Sequence, residues 1–126
     1  MQNNNSKPKI DLKIRAYQYA LSILRFIDLL DKKDWSIQII AKQLLRSATS
    51  IGANIIEAQA GSTKRDFTNF FSYALKSANE SKFWLGLLRD SGKADRNTVN
   101  VLLKETTELA NILGSSILTL RGKKKF

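Results

Sequence analysis

The chain of 126 residues contains no histidine, no cysteine, one proline and only 11 acidic residues. Each shortage removes a class of chemistry. Without His and Cys there is no Cys/His zinc site, no thiol nucleophile and no imidazole base working near neutral pH. A di-iron centre of the kind housed in helical bundles needs Glu-x-x-His pairs, so that is excluded as well. Glu105 and Glu108, spaced i, i+3, read as a solvated helix face. The chain is therefore expected not to be an enzyme and to need no cofactor or metal. No apolar run approaches the roughly 20 residues of a membrane span, so a soluble, cytoplasmic protein without a membrane partner is expected. The lack of cysteine suits a reducing compartment. The single proline, Pro8, and glycines placed mostly near helix ends leave nothing resembling an interdomain linker. Residues 1–9 are polar and lack the apolar stretch of a signal peptide. They read as a disordered leader before one helical domain, 10–120, and a basic tail, 121–126.

What the chain has in excess is positive charge: 21 Lys and Arg give a formal net charge of +10. The excess gathers toward the two ends of the sequence, most densely at Arg121, Lys123, Lys124 and Lys125. Such a balance suits a polyanionic partner, nucleic acid first. Candidate phosphate contacts are Lys7, Lys9, Lys13 and Arg15 toward the N-terminus and Arg121, Lys123, Lys124 and Lys125 toward the C-terminus. Lys64 and Arg65 add two more at the start of a helix, where anions are favoured. No aromatic RNA-recognition motif, zinc finger or helix-turn-helix is present, so base-specific readout is not expected.

The rest of the pattern is helical. A segment from about Asp11 to Lys32 carries one apolar stripe of Tyr17, Ala20, Leu21, Leu24 and Ile27, with a second beside it, Ala16, Tyr19, Ile23, Phe26 and Leu30. Trp35 is expected to pin the following corner onto the core. A second segment, about Ser36 to Ala60, has Ile37, Ile40, Leu44, Ala48, Ile51 and Ile55 at helical spacing and stops at Gly61, which suits a left-handed cap. The third opens at Thr63, a capping residue followed by Asp66, and runs to Ser91 and Gly92. The fourth, about Arg96 to Leu120, has the cleanest stripe. Short connections make consecutive helices antiparallel neighbours, which predicts an all-α, up-down four-helix bundle. The third helix carries more apolar surface than one face needs. Tyr73, Phe83 and Leu87 project away from its core side, so it is either central in the bundle or part of a subunit interface. The interface reading is preferred, and it makes the protein a homo-oligomer.

On the second helix Arg46, Ser50, Asn54 and Glu57 are spaced 4, 4 and 3, forming a polar stripe beside the apolar one. Small residues at Ser47, Ala48, Gly52 and Ala53 invite close approach of a neighbouring helix. A structural hydrogen-bond network between helices is the preferred reading of the stripe; a ligand pocket lined by Asn54 and Glu57 is the other.

The stretch from Leu44 to Ala58, LLRSATSIGANIIEA, resembles the signature of the four helix bundle proteins encoded by intervening sequences in bacterial 23S ribosomal RNA genes. STKRDF from Ser62 and ANESKFWLGLL from Ala78 match the next two blocks of that family. ILGSSI from Ile112 is also similar to a relative, the accessory variability determinant of diversity-generating retroelements. The resemblance covers about Ile10 to Leu120. It implies a barrel-like homopentamer of four-helix protomers and, by way of the retroelement relative, binding of nucleic acid and of a reverse transcriptase. The number five comes from the resemblance alone. The reading that follows is a non-catalytic, basic, homo-oligomeric protein that binds RNA or DNA through phosphate contacts and supports a reverse transcriptase. The alternative is a structural scaffold or protein-interaction module of the intervening-sequence type with no direct role on nucleic acid.

Overall fold

A computed structural model describes residues 11–61 and 63–122; the leader and the three tail lysines lie outside the described residues. Four helices account for most of what is described: α1 (Leu12–Asp28), α2 (Trp35–Ala60), α3 (Lys64–Asp90) and α4 (Arg96–Leu120). Each begins on a side chain that satisfies backbone N–H groups left without an intrahelical acceptor. Asp11 accepts from the Lys13 N–H at 2.8 Å, Asp34 from those of Ser36 and Ile37, Thr63 from that of Asp66 at 3.0 Å, and Asp95 from that of Thr98 at 2.9 Å. Gly92 closes α3 with a positive φ of 77°, and the N–H groups of Lys93 and Ala94 return to the Leu88 carbonyl. Gly61 does not take the left-handed cap predicted for it. Its φ of −70° and ψ of 155° are extended, and its N–H donates to the Ala58 carbonyl.

The helices pack in a closed square. α1 touches α2 and α4, α3 touches α2 and α4, and neither diagonal pair approaches. Along the α1–α4 seam partners run in opposite senses, Arg15 meeting Glu108 and Tyr19 meeting Thr106; across the α2–α3 seam Arg46 meets Glu80 and Ser47 meets Ser81. The seams with α3 are the closest, and that of α1 with α4 the sparsest. Side-chain size supplies the reason on the α2–α3 side, where Ser47, Ala48, Ala74, Ala78 and Ser81 are buried and let the backbones approach. Where Gly52 passes Ala16, an added Cβ would sit 3.5 Å from the alanine methyl, ordinary contact for a tightly laid helix pair.

Two expectations need correction. Of the two α1 stripes, the structure buries Ala16, Tyr19, Ile23, Phe26 and Leu30, whereas Tyr17 and Leu24 are exposed together with Ile14. A helix in a four-membered square can turn only one side fully inward, so the first stripe lies at its edge, with Ala20, Leu21 and Ile27 half-buried and Ile27 packed against the core. Trp35 does not pin the corner either. It is 71% exposed, while Leu30 and Ile37 fill that position of the core. Trp35 lies two residues before Ile37, about 200° around the helix at 3.6 residues per turn, so only one of them can point inward. For α3, contact with two neighbours only excludes a central position, and Tyr73, Phe83 and Leu87 are exposed.

The interior is apolar except for one layer. Tyr19, Ser47, Ser81 and Thr106, one residue from each helix, are buried together. The Tyr19 and Thr106 hydroxyls are 2.6 Å apart, and those of Ser47 and Ser81 2.8 Å. Thr106 also donates to the Leu102 carbonyl and Ser81 to that of Ser77. Among the described residues no buried side-chain polar atom lacks a partner, so the layer carries no desolvation penalty of the kind that destabilises half-made networks. Burial raises the Tyr19 phenol to about 12, against hydrogen bonds with Thr106 and Ser81 that act the other way. The phenol stays neutral and can donate.

Candidate nucleic-acid interface

An even number of antiparallel helices returns the chain to the end at which it started. The beginning of α1, the α2–α3 turn and the end of α4 therefore share one end of the bundle. An open cleft of about 400 Å³ shows them meeting, since Leu12, Phe67, Phe71, Ser116, Thr119 and Leu120 all line it. Lys13 adjoins Leu12, Lys64 stands one turn before Phe67 on the same side of α3, and Arg121 follows Leu120. Arg65 neighbours Lys64. Candidates that are far apart in sequence are thus brought to one end. Lys7 and Lys9 precede Asp11, and Lys123, Lys124 and Lys125 follow Gly122; all five lie outside the described residues.

Among the described residues no carboxylate is within ion-pair distance of Lys13, Lys64, Arg65 or Arg121. Asp11, the acid next to them on α1, is engaged with the Lys13 backbone N–H. Arg15, also a candidate from the sequence, is different, because its cation is paired within the fold. Its Nε and Nη2 donate to the two oxygens of Glu105 at 2.7 and 2.9 Å, and Nη2 also reaches Glu108. The Glu105 hydrogen bond, foremost, holds the guanidinium even further above its usual pKa against the opposing effect of burial. Glu105 and Glu108 are accordingly not a merely solvated face; they grip α1 to α4 along the sparsest seam. A planar guanidinium on a carboxylate is the strongest pairing available there.

The polar stripe of α2 is not a buried network between helices. Ser50 donates to the Arg46 carbonyl at 2.7 Å and Asn54 to the Ser50 carbonyl at 2.9 Å, both within α2, and Glu57 is exposed. Only Arg46 crosses to α3, where its guanidinium meets Glu80, whose carboxylate also accepts from the Trp84 indole at 2.9 Å. The polar layer that does cross the bundle was missed in the sequence because its members sit inside apolar stripes. Ser47 falls between Leu44 and Ile51, and Ser81 between Ala78 and Leu85, at core spacing. A hydroxyl at a core position of each helix is the signal that was there to be read.

Among the described residues, no group of three or more acidic side chains is gathered as a metal site, and no helix is long and apolar enough to cross a membrane. Fold and charge together define a basic protein built on a four-helix bundle. The chain belongs to the 23S rRNA-intervening sequence protein family, whose model matches residues 9–115. It is similar to a crystal structure from Bacteroides thetaiotaomicron VPI-5482, described as a protein with unknown function from the S23 ribosomal protein family. The two share 35% sequence identity over 85% of this chain and 98% of that one, with a TM-score of 0.79. No curated protein matches the chain.

Proposed function

We propose that the protein is a non-catalytic homo-oligomer that binds RNA or DNA through phosphate contacts at the end of the bundle where both chain segments meet. The observation that carries this reading is the convergence of Lys13, Lys64, Arg65 and Arg121 on one end, with no carboxylate within ion-pair distance among the described residues. The chain continues from that end, in both directions, into five further lysines. Cations held near one another without internal partners release counterions when they meet a polyanion, which supplies sequence-independent affinity.

Assembly is supported by exposed apolar side chains on every helix: Ile14, Tyr17 and Leu24 on α1, Trp35, Ile39 and Ile56 on α2, Tyr73, Phe83 and Leu87 on α3, and Val101 and Leu118 on α4. Such surface suits contact between copies of the chain, and a contact between two different faces closes as a ring when the rotation allows. The family resemblance implies five members. In a ring with the bundle axes along its symmetry axis, the basic ends of all protomers would stand on one rim. A reverse transcriptase is the protein partner that the same resemblance implies. A scaffold role without nucleic acid is the second reading, and the exposed apolar side chains favour it as much as they favour assembly.

Binding of labelled oligonucleotides across a salt series, with sedimentation of the same samples, tests the proposal. The expected result is an oligomer whose log affinity falls linearly with log salt. A monomer at micromolar concentration removes the assembly, and salt-independent or absent binding leaves the scaffold.

A further inference from the structure

The cleft at the basic end has a chemistry that phosphate binding alone does not call for. Its lining is largely hydrocarbon, Leu12, Leu120 and the two phenyl rings of Phe67 and Phe71, which stack with centroids 4.4 Å apart at 32°. Phe71 is buried, but Phe67 is only half-buried, so part of its ring meets the opening. The hydroxyls of Ser116 and Thr119 stand on the α4 wall. At about 400 Å³ the cleft lies in the range of small-ligand pockets, roughly 300–1,000 Å³. Around it, Lys13, Lys64, Arg65 and Arg121 stand beside or within one turn of lining residues, against two acids, Asp11 and Asp66. A rim with an excess of cations around an aromatic, hydroxyl-bearing hollow matches a planar, apolar-faced group tethered to anions.

We infer that this cleft takes one unpaired base of single-stranded RNA or DNA, packed against Phe67, with its flanking phosphates on Lys13, Lys64 and Arg121. This rests on the nucleic-acid reading above and names the form of nucleic acid. A base within a duplex has both faces stacked and cannot enter, whereas an unpaired base offers a free face to an aromatic side chain. The Ser116 hydroxyl donates to or accepts from the base edge, and that of Thr119, whose proton goes to the Ser115 carbonyl at 3.0 Å, accepts from it; every base has such atoms, so the selection is for strandedness and not for sequence. The charge of the rim argues against an apolar peptide or an acyl chain as occupant.

The test uses the full chain, fluorescence anisotropy, and labelled single-stranded RNA, single-stranded DNA and duplex of equal length. Two variants probe the cleft: Phe67→Leu, which keeps its apolar volume but removes the stacking face, and Ser116→Leu, which fills it. Circular dichroism and sedimentation check fold and assembly, and either variant suffices if the other fails to fold. Both single strands should bind more tightly than duplex, and the cleft variants should weaken single-strand binding by about tenfold or more, the scale of one lost base stack. Duplex binding should be unchanged. RNA bound in preference to DNA would place the 2′-hydroxyl at the α4 wall; equal binding would place only the base there. Equal affinity for duplex and single strands, untouched by the variants, overturns the base cleft and leaves the phosphate reading standing. No binding of any oligonucleotide overturns both. Variants that dissociate the oligomer identify the cleft as a contact between copies, which also overturns the inference.

Discussion

The two ends of the bundle carry similar numbers of described basic residues and use them in opposite ways. At the end away from the chain termini, Lys32, Lys33, Arg89, Lys93 and Arg96 face an equal set of acids, Asp28, Asp31, Asp34, Asp90 and Asp95. Lys93 pairs with Asp34, Arg89 with Asp90 and Asn100, and Lys32 donates to the Leu30 carbonyl. At the other end Lys13, Lys64, Arg65 and Arg121 have no such pairs among the described residues; the acids there are fewer, Asp11 capping α1 and Asp66 in the first turn of α3, which neutral Thr63 caps. Counting cations therefore does not separate the two ends. What distinguishes them is how many acids stand beside the cations and whether the two pair.

Charge reversal is the strongest way to break this contrast. Replacing Lys64 and Arg65 together with Glu should weaken oligonucleotide binding by about 100-fold, since two charge-assisted contacts are lost. The same change at Lys32 and Lys33 should leave binding within error; equal losses at both ends would reduce the effect to net charge. Next in size is a change midway between them. Thr106→Val keeps the shape but removes a partner of the buried Tyr19 hydroxyl, so denaturant unfolding should show a loss of about 1–3 kcal/mol. Binding by the folded protein should not move, which separates stability from the interface. Deleting residues 123–126 should weaken binding about tenfold and flatten the salt slope by about 2 for single strands, at roughly 0.7 per neutralised phosphate. The thermal midpoint should stay where it was, because helix α4 ends at Leu120.

The smallest effect sharpens the far end. Asp34 is held below its usual 3.8 by Lys93 foremost, and also by the Ser36 hydroxyl and the Ile37 N–H. Asp90, beside Arg89, and Asp95, capping Thr98, are lowered too. A carboxylate whose folded-state pKa is depressed stabilises the fold in full above the unfolded value, and the contribution is lost as pH falls below it. Thermal unfolding should therefore show a modest decline below about pH 4, and Asp34→Asn, which retains a capping oxygen, should flatten part of it. The pairs are exposed, so the decline should be slight and reduced further by salt. An unchanged acid limb in the variant would show that the ion pair at this end contributes nothing.

Much of the fold was legible because it depends on local periodicity. Four helices, their caps at Thr63 and Gly92, and the outward position of Tyr73, Phe83 and Leu87 follow from spacing that any helix must obey. The misreadings share a different cause. Between the two α1 stripes, Tyr17 and Leu24 are as apolar as Ile23 and Phe26, and hydrophobicity alone cannot say which side faces the square. Arg15 looks like any surface cation until α4 places Glu105 within 2.7 Å of it, 90 residues away in sequence. Arg46, Ser50, Asn54 and Glu57 share a stripe, but Ser50 and Asn54 donate to carbonyls of their own helix, and spacing alone does not tell such bonds from ones that cross to a neighbour.

By itself the sequence determined what each segment could be: the absence of His and Cys, the net charge, the helical periodicity and the capping residues are properties of the chain before it folds. Only the tertiary structure decided which groups meet. It brought both basic segments and the α2–α3 turn to one end, because four antiparallel helices must return the chain to its starting side. It placed Tyr19, Ser47, Ser81 and Thr106 at one level, because the register between neighbouring helices is set by packing across seams and not by any one helix. And it withdrew Arg15 into an ion pair while leaving Lys13, Lys64, Arg65 and Arg121 exposed, since a cation's availability depends on which carboxylates the fold carries to within hydrogen-bonding distance.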